Sequence, residues 1–287
     1  MRVIFCFLIL AMLGCQDKVT SSSQNAIEHE ESNGIVGGED VPEDNIIARQ
    51  ALNFKIRYQR PPVDGVEQKP ISSQCTASAI SPSIILTAAH CIIANSPPSH
   101  MILLKNAQGE SVSIRGIDVV VHPDYTAGDK NADVALILLE NELPKDIEIM
   151  NLPAKDFDLH LMQVTAAGYG RSDGRPAFPG HVGVLRTATL DVQNYVATSS
   201  SFIVTQNQGK GFCQGDSGGP AIVTIDNKTY VVGIASRTFF NPEVPVEDRN
   251  LCIDRGLYIN VQFHDEWIQK NMLSLLSKKA AAEGADF

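Results

Sequence analysis

Short apolar segments separated by turn residues constrain the fold of this sequence more than any other feature. From residue 35 to about 262, runs rich in Val, Ile and Leu lie between clusters of Gly, Pro, Asn and Asp. This pattern is typical of β-strands joined by turns, and no long stripe with the helical period interrupts it. The clearest strand candidates are QCTASAISPSIILTAA, SIRGIDVVV, DVALILL, QVTAAGYG, PAIVTI, TYVVGIAS and RGLYINV. The sequence therefore predicts an all-β domain.

The segment FHDEWIQKNMLSLLSKK, near the end of the chain, departs from this pattern. It places Trp267, Ile268, Leu275 and Leu276 at spacings that a helix buries on one face. We therefore expect one C-terminal α-helix after the strands. The last residues are expected to fray, so that residues 278–287 form a flexible tail.

The charge of the chain bears on its partners. Its 287 residues carry a formal net charge of -10, and no dense run of Lys or Arg occurs. This balance argues against nucleic acid as a main partner. Apolar residues make up 44% of the chain, which is enough to bury a substantial core.

The N-terminus has the pattern of an export signal. Arg2 precedes an apolar run that is too short to span a bilayer, which predicts a signal peptide at residues 1–14. Cys15 follows Met12-Leu13-Gly14, which resembles the lipidation box of bacterial lipoproteins. Ordinary cleavage nearby, with Cys15 left as a spare thiol, stays open. Residues 15–34 are polar and predict a disordered linker or propeptide, so a lipid on Cys15 is the one membrane contact expected.

The cysteine count suits an oxidising compartment. The chain has six cysteines, and loss of Cys6 with the signal and lipidation of Cys15 would leave four. These four are Cys75, Cys91, Cys213 and Cys252. No CxxC or His-rich spacing indicates a metal site, and no cofactor is expected.

Three short segments supply the residue types that acyl transfer by serine needs. The chemistry requires a nucleophile, a base, a carboxylate that holds the base, and donors for the oxyanion. His90 in LTAAHC is the candidate base, Asp133 in NADVALILL the carboxylate, and Ser217 in GFCQGDSGGP the nucleophile. The N–H groups of Gly215 and Ser217 are the candidate oxyanion donors. Each segment alone also fits a packing residue or a solvated turn, whereas their order together is far more specific.

Together these segments resemble the chymotrypsin/trypsin-like serine protease family. The match covers residues 35 to about 270 and keeps the order of the family motifs. They are IVGG at 35–38, TAAHC at 87–91, HPDY at 122–125, DVAL at 133–136, GYG at 168–170, CQGDSGGP at 213–220, VGIAS at 232–236 and GLYINV at 256–261. The resemblance implies a domain at residues 35–277, built from two packed six-stranded antiparallel β-barrels with the triad between them.

The resemblance also implies covalent features. Cys75 would pair with Cys91, and Cys213 with Cys252. The chain would be made as a zymogen, in which cleavage after Gly34 frees the amine of Ile35 to pair with Asp216. Asn33-Gly34 stands where many relatives have Arg or Lys before the cleaved bond, so the activating protease is unknown.

The residues that match the family's specificity pocket indicate a preference unlike that of trypsin. They are Gly211, Phe212, Ser236, Thr238 and Gly256. Gly211 stands where an aspartate would bind Arg or Lys, and a pocket without an anion cannot compensate a buried cation. We therefore expect small or medium apolar residues before the scissile bond. The acidic segment 239–254 leaves open a basic preference through Glu243, Glu247, Asp248 or Asp254, against its interpretation as a solvated loop.

The leading hypothesis is a monomeric serine endopeptidase that acts on proteins or peptides. A catalytically silent binding protein and an esterase with the same triad are the alternatives. The chain is expected to be exported, either as a cell-envelope lipoprotein or to the periplasm or extracellular space. Cleavage after Gly34 would release the catalytic domain from a lipid anchor.

Overall fold

The computed structural model of the protein describes residues 35–284 apart from 59–61, 93–98, 106–109, 128–130, 156–162, 177, 179–181, 194 and 246–248. The predicted signal peptide, Cys15, the predicted propeptide and Gly34 therefore lie outside the described residues, as do Glu247 and Asp248. Among the described helices, none is long and apolar enough to cross a membrane.

Within these residues the chain forms β-strands and one long α-helix. The elements are β1 (Glu39–Asp40), β2 (Ala51–Tyr58), β3 (Ile71–Ala79), β4 (Ile84–Thr87), β5 (Ser99–Lys105), β6 (Ser111–Val121), β7 (Ala135–Leu139), β8 (Gln163–Gly168), β9 (Arg186–Gln193), β10 (Ser201–Thr205), β11 (Pro220–Ile225), β12 (Lys228–Phe239), β13 (Arg255–Asn260) and α1 (Asp265–Gly284). Two short 3₁₀ turns, Ile46–Arg49 and Ala89–Cys91, lie between strands.

The first barrel closes through antiparallel pairing in the order β2-β3-β4-β7-β6-β5. In β2 the apolar residues Leu52, Phe54 and Ile56 are buried and alternate with polar residues, because one face of the strand lines the barrel interior. All residues of β4 and β7 are buried instead. Their continuous apolar sequences fit this position, since β7 also contacts α1 on its outer side.

The second barrel is formed by β8 to β13. Their order is β9-β10-β13-β12-β11-β8, and the pairing of β8 with β9 closes the ring. The short β1 adds to β9 from outside. The prediction of two six-stranded antiparallel barrels followed by one helix is therefore confirmed.

Helix α1 packs its apolar face on the core. Ile268 and Leu275 are fully buried, and the predicted Trp267 and Leu276 are partly buried against the same core cluster. The helix continues through Gly284, so residues 278–284, which the sequence placed in a flexible tail, are helical. The pattern of apolar residues could not locate the C-terminal end of α1, because polar contacts hold the last turns of the helix. The Nζ of Lys278 lies 2.9 Å from an Asp118 carboxylate oxygen in β6.

Candidate active site

His90 is held at the mouth of the first barrel. It lies in the turn Ala89–Cys91 directly after β4. A disulfide joins the neighbouring Cys91 to Cys75 in β3, so the turn is anchored on both sides. The imidazole keeps 34% of its side-chain surface exposed, which leaves it accessible from the cleft.

Asp133 lies just before β7 and is buried behind His90. Its Oδ2 lies 2.7 Å from His90 Nδ1, and its Oδ1 accepts a hydrogen bond from the His90 backbone N–H at 2.8 Å. Burial alone would raise the pKa of Asp133. The hydrogen bonds from His90 and Ser236 and the attraction of His90 outweigh burial and hold the pKa of this carboxyl below its usual value. Asp133 is therefore an ionised acceptor that orients the imidazole.

Ser236 links the second barrel to this carboxylate. The sequence placed Ser236 in the specificity pocket. Its hydroxyl donates to Asp133 Oδ2 at 2.6 Å, although Ser236 belongs to β12 and Asp133 precedes β7. One side chain of the second barrel thus helps to hold an acid of the first.

Ser217 and His90 line the same cleft, which has a volume of about 500 Å³. Gly215 also lines this cleft and has a φ of 96°, a left-handed conformation that glycine adopts without strain. Within the described residues, neither Gly215 N–H nor Ser217 N–H donates a hydrogen bond to another protein group. Both donors therefore remain available to an oxyanion beside Ser217.

Asp216 points away from the cleft into the protein interior. Its two carboxylate oxygens accept hydrogen bonds from the backbone N–H groups of Gly170 and Cys213, each at 2.7 Å. A Cβ on Gly170 would lie 2.6 Å from the Asp216 carboxyl carbon, which explains why the GYG motif needs glycine there. Burial raises the pKa of Asp216 to about 7, although the two hydrogen bonds lower it.

The residues that follow the predicted cleavage point are anchored beside this loop. Ile35 is fully buried in the same apolar cluster as Phe212. Val36 forms an antiparallel bridge with Gly211, with N···O distances of 2.9 and 3.0 Å. The structure therefore brings the start of the predicted mature chain to the segment that carries Asp216 and Ser217.

Thr76 is a site residue that sequence reasoning missed. Its backbone N–H donates to Ser217 O at 2.8 Å, and its hydroxyl donates to Gly215 O at 3.0 Å. The same hydroxyl accepts from Tyr169 N–H at 3.1 Å. Thr76 thus attaches β3 of the first barrel to the loop that carries the nucleophile. A single threonine in a strand offers no motif that could have revealed this.

Four of the five predicted pocket residues lie close together, namely Gly211, Phe212, Thr238 and Gly256. The hydroxyl of the fifth, Ser236, instead donates to Asp133. Gly211, Phe212 and Gly256 are buried, and Thr238 pairs with Gly256 between β12 and β13. In the acidic segment, the half-buried Asp254 lies 3.6 Å from the exposed Arg255. Glu243 is exposed.

Both predicted disulfides are present, Cys75–Cys91 and Cys213–Cys252. The second one joins the segment before Ser217 to the chain that precedes β13. The Cys75 and Cys91 sulfurs lie within 4.8 Å of a His90 nitrogen, but both are oxidised and offer no thiolate to a metal.

Comparison with known proteins places this chain among proteases. It is 23% identical over 265 residues to the vitellin-degrading protease of Bombyx mori, covering 85% of this chain and 88% of that protein. It is 28% identical over 210 residues to a chymotrypsin of Phaedon cochleariae, covering 67% of this chain and 72% of the relative. It is also 27% identical over 237 residues to serine protease snk of Drosophila melanogaster, covering 72% of this chain and 51% of snk.

These relatives are insect proteins, so they give no support to the bacterial origin that the Cys15 segment suggested. The model of the Trypsin family matches residues 55–268, which include His90, Asp133 and Ser217. This match covers most of the chain and agrees with the two-barrel fold. The chain therefore belongs to the trypsin-like serine protease family.

Proposed function

We propose that this protein is a serine endopeptidase made as a zymogen. The observation that carries the proposal is the arrangement of His90, Asp133 and Ser217. Asp133 holds the Nδ1 side of the imidazole, and Ser217 lines the cleft that His90 also lines. A catalytically silent binding protein would usually lack one of these three residues, and all three are present here.

The residues present supply each part of peptide hydrolysis. Ser217 Oγ attacks the scissile carbonyl while His90 Nε2 takes its proton, and the same imidazole then protonates the leaving amine. The N–H groups of Gly215 and Ser217 stabilise the oxyanion. Water, activated by His90, hydrolyses the acyl-enzyme that results. Asp133 stabilises the imidazolium in both halves of the reaction.

Activation by cleavage between Gly34 and Ile35 is supported by two features of the described residues. The Val36–Gly211 bridge holds the chain that would start at Ile35 beside the Asp216 loop. Asp216 is buried with two backbone donors, and no cationic side chain of the described residues contributes to its pKa. A new amine at Ile35 would supply the missing positive charge and order the oxyanion loop.

The specificity proposed is for small or medium apolar residues before the scissile bond, and not for Arg or Lys. Gly211 offers no carboxylate to bind Arg or Lys, and the partly buried Thr238 of β12 would narrow the pocket. The described acids of segment 239–254 do not argue for a basic preference. Asp254 is half-buried and paired with the exposed Arg255.

The site of action proposed is outside the cytoplasm, because two disulfides suit an oxidising compartment. An N-terminal lipid on Cys15 would attach the precursor to a membrane. Cleavage after Gly34 would then release the catalytic domain.

A fluorophosphonate probe tests the catalytic proposal. The chain that begins at Ile35 should label and hydrolyse peptides, and Ser217→Ala should abolish both. Asp133→Asn should lower kcat by about 10⁴-fold, since the imidazole would then be held in the wrong tautomer. Asp124→Asn is the matched control, because the Asp124 side chain is 83% exposed in the loop before Asp133.

The outcomes separate the alternatives. Labelling with ester hydrolysis but no peptide hydrolysis would identify an esterase. A correctly folded chain that neither labels nor hydrolyses would be a silent binding protein. Equal turnover by chains that begin at Cys15 and at Ile35 would contradict the zymogen.

A further inference from the structure

The family resemblance puts Gly211 at the base of the pocket for the substrate side chain and Thr238 and Gly256 on its walls. Thr238 of β12 pairs with Gly256 of β13. A Cβ on Gly256 would lie 2.3 Å from Phe212 Cε1, so the Phe212 ring leaves no room there for a methyl group.

The Phe212 ring is fixed in this position by packing. It is 2% exposed, and its centroid lies 4.9 Å from that of Tyr258 in an edge-to-face arrangement. It belongs to the apolar cluster of the second barrel, together with Ile35. A substrate side chain would have to expel a core residue, because close-packed interiors do not open without cost.

Gln206 fills the same space from below. It follows β10 and is fully buried, and its Nε2 donates to Cys252 O at 2.6 Å and to Phe212 O at 3.2 Å. These two hydrogen bonds tie the Phe212 backbone to the chain next to the second disulfide. A Cβ on Gly211 would lie 2.2 Å from Gln206 Nε2, so the floor is closed as well.

The amide oxygen of Gln206 is directed into the same region. It would lie 2.3 Å from a Cβ on Gly256, and within the described residues it has no hydrogen-bond partner. A buried acceptor without a partner is costly and is tolerated where neighbouring constraints hold it. Here the two bonds of Nε2 impose the orientation of the amide.

We propose that Phe212 and Gln206 form a plug that closes this pocket, so that the enzyme cleaves after glycine and alanine and rejects larger residues. The inference rests on the proposed function and sharpens it, because it excludes medium apolar residues such as leucine. Each additional methylene in a filled site must displace packed atoms.

Matched peptides that differ only in the residue before the scissile bond test the plug. In the chain that begins at Ile35, kcat/KM for alanine should exceed that for leucine by about 100-fold or more, since several methylenes meet filled space. Phe212→Ser removes the ring and should lower this ratio at least about tenfold. Phe178→Ser is the matched control with an unchanged ratio, because Phe178 is an exposed phenylalanine outside the pocket.

Fluorophosphonate labelling, which needs no side chain in the pocket, accompanies each assay. A wild-type enzyme that labels but cleaves after leucine as readily as after alanine overturns the plug and leaves the proposed function intact. A wild-type enzyme that neither labels nor cleaves contradicts both. If Phe212→Ser labels and keeps the wild-type ratio, Phe212 does not close the pocket. The wild-type ratio decides the matter even where the variant does not fold.

Discussion

At the scale of single residues, the proposed activation depends on Asp216, a buried acid next to Ser217. Its carboxylate accepts hydrogen bonds from the backbone N–H groups of Gly170 and Cys213. It lies beside glycines, whose lack of a side chain leaves room for it. Two neutral donors compensate a buried charge only in part, so the pKa of Asp216 is raised to about 7. The uncleaved chain therefore contains an acid that is unfavourable when ionised, and in the proposed mature form the amine of Ile35 would compensate its charge.

This raised pKa predicts that cleavage stabilises the protein by an amount that depends on pH. The pKa of Asp216 rises from 3.8 to about 7 on folding of the precursor. Stability from this group is therefore complete below about pH 4 and is lost as the pH rises toward 7. The cleaved chain escapes this loss, so its stability advantage should grow by about 1.4 kcal/mol per pH unit up to pH 7.

Chemical unfolding of the precursor and of the chain that begins at Ile35, from pH 5 to 8, measures this difference. Groups common to both chains cancel, including His264, whose pKa burial lowers to about 4. A difference in unfolding free energy that stays constant across this range would show that Asp216 does not couple to the amine.

Some site residues could be predicted from the sequence and others could not, because their contacts arise in different ways. His90, Asp133 and Ser217 occur in short segments with characteristic neighbours, and the structure brings these segments to one cleft. Thr76 and Gln206 act through contacts with residues far away in the chain, and nothing in their local sequence marks them. Such contacts follow from the closure of the barrels and could not be predicted before it.

At the scale of elements, the same distinction applies to strands. The quoted apolar segments correspond to strands of both barrels, whereas β1, β2, β5, β9 and β10 were not singled out. The sequence of β2, ALNFKIRY, does alternate, with Leu52, Phe54 and Ile56 inward. Its three charged or amide residues conceal this alternation in a search for continuous apolar runs. Period-two counting would have found it.

Helix α1 stabilises the first barrel through a few apolar side chains, which gives a prediction at this scale. Leu275 is fully buried, whereas Leu273 on the same helix is 63% exposed. Leu275→Ala should lower the unfolding free energy by about 2–5 kcal/mol, because it leaves a cavity against the core. Leu273→Ala, the matched control, should change it by less than about 0.5 kcal/mol. Denaturant unfolding measures both, and equal effects would contradict the observed packing of the helix.

At the scale of the whole molecule, the proposed catalytic arrangement depends on how the two barrels are joined. His90 and Asp133 belong to the first barrel, while Ser217 precedes β11 of the second. Each barrel contributes a side chain that contacts the other barrel. Ser236 of the second barrel holds Asp133, and Thr76 of the first holds the loop of Ser217. Either contact couples the spacing of the catalytic groups to the packing of the barrels.

Loss of the Thr76 hydroxyl should therefore loosen the nucleophile loop without altering its sequence. Thr76→Val keeps the shape of the side chain but leaves Gly215 O and Tyr169 N–H without this partner. Both hydrogen bonds are part-buried, so each unpaired group should cost about 1–2 kcal/mol, toward the lower end of the range for buried groups, and the unfolding free energy should fall by about 2–4 kcal/mol. Because Gly215 is a proposed oxyanion donor, kcat should fall about tenfold, or by about 1.4 kcal/mol of transition-state stabilisation. Thr76→Ser retains both hydrogen bonds and should keep kcat. Equal kcat for Thr76→Val and wild type would mean that other contacts between the barrels position the oxyanion loop.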